Sequence, residues 1–486
     1  MLKVLLRNAS PMIRLGANVG PSSFIRSVMS RPSLNLRNIS ALSKTSQCLI
    51  SRQNSYRALS SCSILKQATT AVKKQPAKKL INSSKQVGYW LIGTSGLVFG
   101  IVVLGGLTRL TESGLSITEW KPVAGTLPPM NEQQWLEEFA KYRESPEFQQ
   151  LNSHINLDEF KFIYFMEWVH RLWGRAIGAV FVLPAIYFAV AKKTSPRVNR
   201  RVFTLASLLG LQGFIGWWMV KSGLDQEALN ERKSKPTVSQ YRLTTHLTTA
   251  FLLYLGMLWT GFEILKEAKW VKDPAKALSQ IAKLDNPALG PFRKTSLGLL
   301  ALTFVTAMSG GMVAGLDAGL IYNTFPHMGD DWIPSKRELF DNNFARKDDA
   351  SDLFWRNMLE NPATVQLNHR ILAMTTFCAV FGMHMWVNRR KHILPKNAVR
   401  SMHAMMGVVT LQATLGIFTL LYLVPISLGS LHQAGAMALL TNALIFAAQL
   451  RKARIPMRIL VGGLSTRAAP KATSKILTEA GNVAAK

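Results

Sequence analysis

The chain has 486 residues, of which 48% are hydrophobic, and a formal net charge of +31 at pH 7. The apolar residues gather in runs of about 20, the length a helix needs to cross a bilayer, which excludes an ordinary array of soluble domains. The basic excess is confined to one terminal segment and to particular loops, so we expect no nucleic-acid partner. Two of the three cysteines lie in that segment, so cysteine chemistry is not expected to carry the function.

Residues 1–86 form a strongly basic leader. They contain fifteen Lys and Arg and no acidic residue, and the first acid of the chain is Glu112. A segment rich in Ser, Arg and Asn and free of acids is typical of a mitochondrial transit peptide. A basic tail that binds phospholipid or RNA is the alternative. We predict that 1–86 comprises a transit peptide and a basic matrix segment.

Apolar windows along the rest of the chain predict eight transmembrane helices, because each window is too long for a strand and lacks strict alternation. The fold class is therefore an all-α polytopic membrane protein in a lipid bilayer. The predicted spans are 87–107, 168–191, 202–220, 242–265, 295–315, 366–388, 402–424 and 429–450.

The loops alternate in charge. Loops 192–201 and 389–400 each contain five basic residues and no acid, whereas 109–166 and 316–365 each contain five basic and nine acidic residues. Because Lys and Arg favour the inner side of a membrane, the basic loops and both termini are predicted on one side. With a mitochondrial leader that side is the matrix, the membrane is the inner membrane, and the acidic loops face the intermembrane space.

The chain contains an internal repeat at an offset of about 200 residues. The paired features are GGLTRLTESGL at Gly105 with GGMVAGLDAGL at Gly310, LQ at 211–212 with LQ at 411–412, His170 with His369, and His246 with His432. We predict two repeated four-helix bundles related by a pseudo-two-fold axis along the membrane normal, with the Gly-Gly pairs serving helix packing. The predicted segments are an N-terminal half at 87–266, a matrix linker at 267–294, a C-terminal half at 295–450 and a basic matrix tail at 451–486.

The four repeated histidines lie at the acidic-loop ends of the even-numbered spans. We expect all of them within the first turn or two of their helices, at one level near the intermembrane space. Two imidazoles make a poor zinc site, which needs four ligands, but they suit the axial positions of a haem iron. One histidine in a membrane helix is more often a packing residue, whereas the duplicated pattern favours one haem in each half.

Charged neighbours distinguish the two halves. Arg171 and Arg370 each follow a histidine, and a guanidinium suits a haem propionate, although an arginine that reaches to the interface is the alternative. Glu167 lies on the same helical face as His170, whereas Gln366 stands at the matching place in the second half. We interpret the Glu/Gln difference as a division of roles. The second half would hold a haem that only transfers electrons, and the first half a reactive site whose acid accepts a proton or stabilises positive charge. A water-facing Glu167 is the alternative.

Five segments between residues 87 and 450 carry a family resemblance: GGLTRLTESGLSITEWKPVAGTLPP, EWVHRLWGR, GGMVAGLDAGLIYNTFPHMGDDWIP, ENPATVQLNHRILA and LGIFTLLYLVPISLGSLHQ. In this order they resemble the haem A synthase family, and with the leader its mitochondrial type. The resemblance implies an oxidoreductase that converts the methyl group of haem O stepwise to the formyl group of haem A for cytochrome c oxidase assembly. By matching motif, Glu167, His170 and His246 would form the catalytic site for the substrate haem. His369 and His432 would bind a haem b cofactor.

The resemblance also implies partners. Electrons would come from a ferredoxin and ferredoxin reductase, with haem O synthase and cytochrome oxidase assembly factors nearby; formation of a homo-oligomer is left open. If both imidazoles bind the substrate iron, either one leaves to admit dioxygen or water supplies the oxygen, and the sequence allows both. One bacterial branch carries a cysteine pair in the first outer loop, which 109–166 lacks, so a thiol-linked step cannot be transferred.

Two other functions fit part of the pattern. A non-catalytic bis-histidine dihaem b-type electron carrier shares the ligands but gives no role to a carboxylate at one site only. A two-repeat transporter would use His and Glu as a proton relay, which predicts polar residues deep in the spans rather than near one end. The haem content of the purified protein distinguishes these functions.

Overall fold

The computed structural model describes residues 81–120, 127–232 and 235–466. All of them belong to one compact unit, Pro76–Lys486. The predicted transit peptide and nearly all of the basic segment at 1–86 lie outside the described residues, as does the end of the predicted tail at 467–486. The described structure is thus the apolar part of the chain with its connecting loops.

Eight helices are long and apolar enough to cross a membrane, and each of them overlaps one of the eight predicted spans. Within the described ranges there is no β-strand, only an isolated bridge between Met328 and Asp331. The prediction of an all-α polytopic protein is therefore confirmed. In chain order the helices are α1 (Lys85–Leu110), α2 (Leu157–Val190), α3 (Pro196–Leu224), α4 (Gln240–Lys272), α5 (Gly290–Gly315), α6 (Pro362–Arg389), α7 (Lys396–Leu421) and α8 (Ile426–Leu450).

Helix α2 begins earlier than predicted. Asn156 caps it by accepting from the backbone N–H groups of Asp158 and Glu159, and the Glu159 side chain accepts from the Asn156 N–H in return. This capping box, with two acids in the first turn, starts the helix in front of the apolar window that defined the span. His170 is therefore several turns inside α2, and the prediction that all four histidines lie within the first two turns is wrong for this one.

Shorter helices lie in the loops. They are Glu132–Arg143, Pro146–Gln150, Gln226–Arg232, Pro274–Asp285, Lys336–Leu339, Leu353–Glu360 and 455–466. Pro274–Asp285 falls in the predicted matrix linker and 455–466 in the predicted tail, and the two pack together through Ile281, Met457 and Val461. Linker and tail therefore form a small apolar cluster of their own, held together by burial of these side chains.

The two halves have the same helix neighbours. In the first half α1 packs on α2 and α4, and α3 packs on α2 and α4; in the second half α5 to α8 repeat this arrangement helix by helix. Between the halves, α4 packs on α5, α8 packs on α1, and α4 also contacts α8. In this last contact the hydroxyls of Tyr254 and Thr441 lie 2.7 Å apart. This arrangement is what a pseudo-two-fold axis would produce, and the axis itself stays a prediction.

Candidate functional site

The second half brings its two histidines together. His369 on α6 and His432 on α8 have ring centroids 6.5 Å apart and ring planes at 88°. A metal–nitrogen bond of about 2 Å, with each ring centre roughly 1 Å beyond its nitrogen, puts the centroids of two opposed imidazoles about 6 Å apart. The pair therefore has the separation that two ligands on opposite sides of one ion require.

The first half holds the corresponding pair on α2 and α4. His170 lies on α2 and His246 on α4, and the Nδ1 atom of each ring is buried. Neither nitrogen has a hydrogen-bond partner among the described residues. Because a buried polar atom without a partner is costly, the two nitrogens indicate a site that a bound molecule completes.

Each of the four rings packs against a glycine of a neighbouring helix. The distances from a Cβ added at the glycine to the ring Cε1 are 3.0 Å for Gly105 and His170, 3.5 Å for Gly216 and His246, 3.2 Å for Gly310 and His369, and 2.8 Å for Gly416 and His432. Small residues allow such close approach between membrane helices. The first glycine of each Gly-Gly pair therefore makes room for a histidine, which is more than the helix packing that the repeat indicated.

Two glutamines hold the helical turns that carry a histidine. Nε2 of Gln212 donates to the main-chain carbonyl of His246 at 3.1 Å, and Nε2 of Gln412 donates to that of His432 at 3.0 Å. These are the glutamines of the repeated LQ pairs. Sequence reasoning found the repeat but missed this role, although a polar residue recurring inside two apolar spans is the signal that could have revealed it.

Glu167 is 3% exposed, and its carboxylate accepts four hydrogen bonds. Oε1 accepts from Nε and Nη2 of Arg171 at 3.0 and 2.7 Å. Oε2 accepts from the Ser116 hydroxyl and from the Ile117 N–H, both at 2.8 Å. A carboxylate has about four acceptor sites, so all of them are filled. Glu167 thus fastens the first outer loop to α2 one turn before His170, and it does not face water.

Arg171 donates to the same loop. Besides its pair with Glu167, Nη1 donates to the Glu119 carbonyl at 3.0 Å and Nη2 to the Ile117 carbonyl at 2.9 Å. In the second half Gln366 donates to the carbonyls of Ala318 and Tyr322. Arg370, which is buried, donates to three carbonyls of that loop: Tyr322, Thr324 and His327. In both halves these two positions therefore fasten the loop that precedes their helix, α2 or α6, which the sequence did not predict.

Two cavities flank Arg171 where the first half meets the loop before α2. One of about 200 Å³ lies between α2 and the first outer loop. The other, of about 370 Å³, is lined by Arg171, Trp217 and Lys221 among others. Trp217 directly follows Gly216, whose added Cβ would contact His246. The larger cavity therefore lies between the loop before α2 and the end of α3, and its wall contains two cationic residues, Arg171 and Lys221, and two acidic residues, Glu119 and Asp225.

The donor set restricts the kind of metal centre. Among the described residues there is no group of three or more His, Cys, Asp or Glu side chains that could hold a metal ion. A structural zinc needs four such ligands, whereas a haem iron receives four nitrogens from its porphyrin and needs only axial ligands from the protein. Two histidines in each half therefore fit haem and do not fit a bare ion.

Eight membrane-spanning helices in two matching groups, each with a pair of histidines, define a multi-pass membrane protein with two sites suited to haem. The chain belongs to the COX15-CtaA family, described as cytochrome oxidase assembly protein, whose model matches residues 88–444. That range contains all four histidines.

Relatives from several organisms are heme A synthases. The chain is 65% identical over 455 residues to heme A synthase COX15 of Saccharomyces cerevisiae, covering 93% of each protein. It is 40% identical to heme A synthase COX15 of Homo sapiens, covering 76% of this chain and 84% of that protein. It is also 52% identical, over 76% of this chain and 60% of the relative, to a heme A synthase-mitochondrial ferredoxin fusion protein of Schizosaccharomyces pombe.

Proposed function

We propose that the chain is a haem A synthase, an oxidoreductase that converts the methyl group of haem O to the formyl group of haem A for cytochrome c oxidase assembly. The observation that carries this function is the presence of two histidine pairs in the membrane, one with its rings 6.5 Å apart. The 65% identity of this chain to heme A synthase COX15 of Saccharomyces cerevisiae supports the same reaction. Successive oxidations of the methyl group, passing through the alcohol, complete the proposal.

We assign His369 and His432 to a resident haem b. The donor set supports this, because the two imidazoles have the separation that axial ligands require and because Gln412 holds the turn of His432. A haem b bound there would supply electron transfer to the neighbouring site. The protein's own contribution is to hold the two rings in place.

We assign His170 and His246 to the substrate, haem O, with Glu167 as the catalytic carboxylate. The unpartnered Nδ1 atoms of the two rings support a site that is completed only by a ligand. All four acceptor sites of Glu167 are filled, so it has no free lone pair for a proton. We therefore propose that Glu167 acts as a fixed negative charge for a positive charge developing on the substrate, rather than as a proton acceptor.

We propose that Arg171 and Arg370 also donate to haem propionates. They would do so through the guanidinium N–H groups that form no hydrogen bond to the loops. A guanidinium has five N–H donors. Contacts among the described residues use four of them in Arg171 and three in Arg370. Each side chain can therefore hold its loop and still donate to a carboxylate at the site.

We also propose the mitochondrial inner membrane as the location, with both termini in the matrix and the histidine sites toward the intermembrane space. The basic loops support this orientation. A ferredoxin with its reductase is the proposed electron source, supported by the Schizosaccharomyces pombe relative, in which a heme A synthase is fused to a mitochondrial ferredoxin. Haem O synthase and oxidase assembly factors are the proposed neighbours in the pathway.

The test is the pigment of the purified full-length protein. We expect haem b together with haem O or haem A when extracted haems are separated by chromatography, and haem A formation when the chain is expressed in cells that make haem O but no haem A. Haem b alone would support the dihaem electron carrier. A protein without haem would support the transporter and end the synthase proposal.

A further inference from the structure

The second glycine of each Gly-Gly pair contacts the opposite half of the protein. A Cβ added to Gly106 on α1 would lie 1.6 Å from Oε1 of Gln433 on α8, a distance no atom pair tolerates. A Cβ added to Gly311 on α5 would lie 3.1 Å from Cδ2 of Leu247 on α4. Gln433 and Leu247 each come directly after a histidine of their own half. Each Gly-Gly pair therefore lies between the two histidine sites.

Two adjacent glycines of α1 each contact a different histidine site, Gly105 the first-half site and Gly106 the second-half site. A Cβ on Gly105 would contact the ring of His170, whereas Gly106 accommodates the side chain that follows His432. The path from the first site to the second is thus His170, Gly105, Gly106, Gln433 and His432. It contains two contacts between helices, His170 with Gly105 and Gly106 with Gln433, and the two glycines between them are adjacent in α1.

The two side chains that fill these crossings differ in polarity. Nε2 of Gln433 donates to the main-chain carbonyl of Val102 on α1 at 3.0 Å, across 331 residues of sequence. Leu247, at the equivalent place in the other crossing, has no group that could donate. Inside a membrane no water replaces a lost hydrogen bond. The hydrogen bond from the Gln433 side chain therefore fixes the height of α8 against α1 in a way that an apolar contact does not.

We propose that Gln433 is a positioning residue that couples the two haem sites, an inference that rests on the proposed function. Its side chain lies against Gly106 and bonds to Val102, and this fixes the turn of α8 that carries His432 relative to the turn of α1 that contacts His170. A displacement of the ligand turn in one half is transmitted through this side chain to the other half. Leu247 lacks the bond and does not contribute to the coupling.

The first test compares the purified holoenzyme with Gln433→Leu and with the matched control Leu247→Met. Electron paramagnetic resonance reports the ligand geometry of each low-spin haem separately. We expect Gln433→Leu to change the signals of both haems and to lower haem content about threefold, the typical effect of one hydrogen bond between membrane helices. We expect Leu247→Met to leave both signals and the content unchanged. A Gln433→Leu protein whose first-site signal equals that of the wild type overturns the coupling.

A second pair of variants excludes a general folding defect. Gly106→Ala would force its Cβ onto Oε1 of Gln433, so we expect haem content and the apparent Tm in detergent to fall. Adding Gln433→Ala removes the opposing atoms, so haem content and apparent Tm should rise again to the level of the Gln433→Leu protein while the two haem signals remain altered. No recovery in the double variant, or wild-type signals in it, contradicts the proposal. A wild type that carries no haem would instead overturn the proposed function, so the two failures are distinguishable.

Discussion

The hydroxyl of Ser309 lies 2.7 Å from Nδ1 of His369. The same hydroxyl donates its proton to the Thr306 carbonyl at 2.7 Å, so it accepts from Nδ1–H, and Nε2 keeps the lone pair that binds a metal. In the first half Leu104 stands at the equivalent position, and Nδ1 of His170 has no partner among the described residues. The hydrogen bond to Ser309 thus fixes the tautomer and the orientation of the His369 ring, whereas no such bond fixes the His170 ring. This difference fits a resident cofactor in the second half and an exchanging substrate in the first.

Ser309→Ala should therefore weaken the retention of haem b. Hydrogen bonds to the far nitrogen of a metal-binding histidine typically contribute at least about tenfold in affinity, and we expect a loss of that order at the second site while haem O binding at the first site is kept. Haem b retained after dilution of the detergent-solubilised protein measures it. Ser296→Ala on the same helix is the control, since that hydroxyl bonds only to the Arg293 carbonyl. Equal retention in both variants would show that the hydroxyl does not orient the ligand.

Glu167→Gln should keep both haems bound while haem A formation falls roughly 100-fold, because the fixed negative charge is lost with little change in volume. Chromatography of extracted haems measures the ratio of haem A to haem O. Asp158→Asn on the same helix is the control, since its side chain is 89% exposed. Normal haem A output from Glu167→Gln would remove this carboxylate from the chemistry.

Gly416→Ala should reduce haem binding at the second site. Its Cβ would lie 2.8 Å from Cε1 of His432, closer than side chains tolerate, so the ring must move. Gly407→Ala on the same helix is the control, because a Cβ there meets no atom within 4 Å. We expect the haem b content of Gly407→Ala to match the wild type and that of Gly416→Ala to be several-fold lower. Equal haem contents would mean that this ring does not hold the cofactor.

The outer loop gives the protein a pH-dependent stability through Glu147, which is buried and accepts a hydrogen bond from the Tyr142 hydroxyl at 3.0 Å. Burial raises the pKa of Glu147 to about 8, and the nearby Glu167 and Glu112 raise it as well, whereas the Tyr142 bond and Arg109 lower it. Between its ordinary pKa of 4.5 and about 8 the folded protein holds a proton that the unfolded chain has released. The stabilisation is therefore complete below this window and is lost as the pH rises through it.

Glu147→Gln should remove this part of the pH dependence. We expect the apparent Tm of the wild type in detergent to fall between about pH 5 and pH 8 and that of the variant to fall less, because an amide does not titrate. Glu144→Gln, at an exposed position three residues earlier, is the control and should retain the wild-type slope. Identical slopes in all three proteins would show that Glu147 keeps its charge in the fold.

Much of the fold could be predicted because its cause is local. A run of about 20 apolar residues is stable in a bilayer only as a helix, whatever its neighbours are, so the eight spans follow from hydropathy alone. The start of α2 was missed because the capping box at Asn156 and Glu159 lies outside the apolar window. Within the predicted matrix linker, the helix Pro274–Asp285 lies outside the apolar windows as well, and it packs on 455–466.

The sequence by itself determined which residues could bind iron, since the identity and spacing of the four histidines stand in the chain. Only the tertiary structure decided what surrounds them: the loop contacts that fill every acceptor of Glu167, the glycines that make room for each ring, and the bond from Gln433 to Val102 across 331 residues. The physical reason is that hydropathy and helix propensity act on neighbouring residues, whereas these contacts depend on the height and rotation at which separate helices pack.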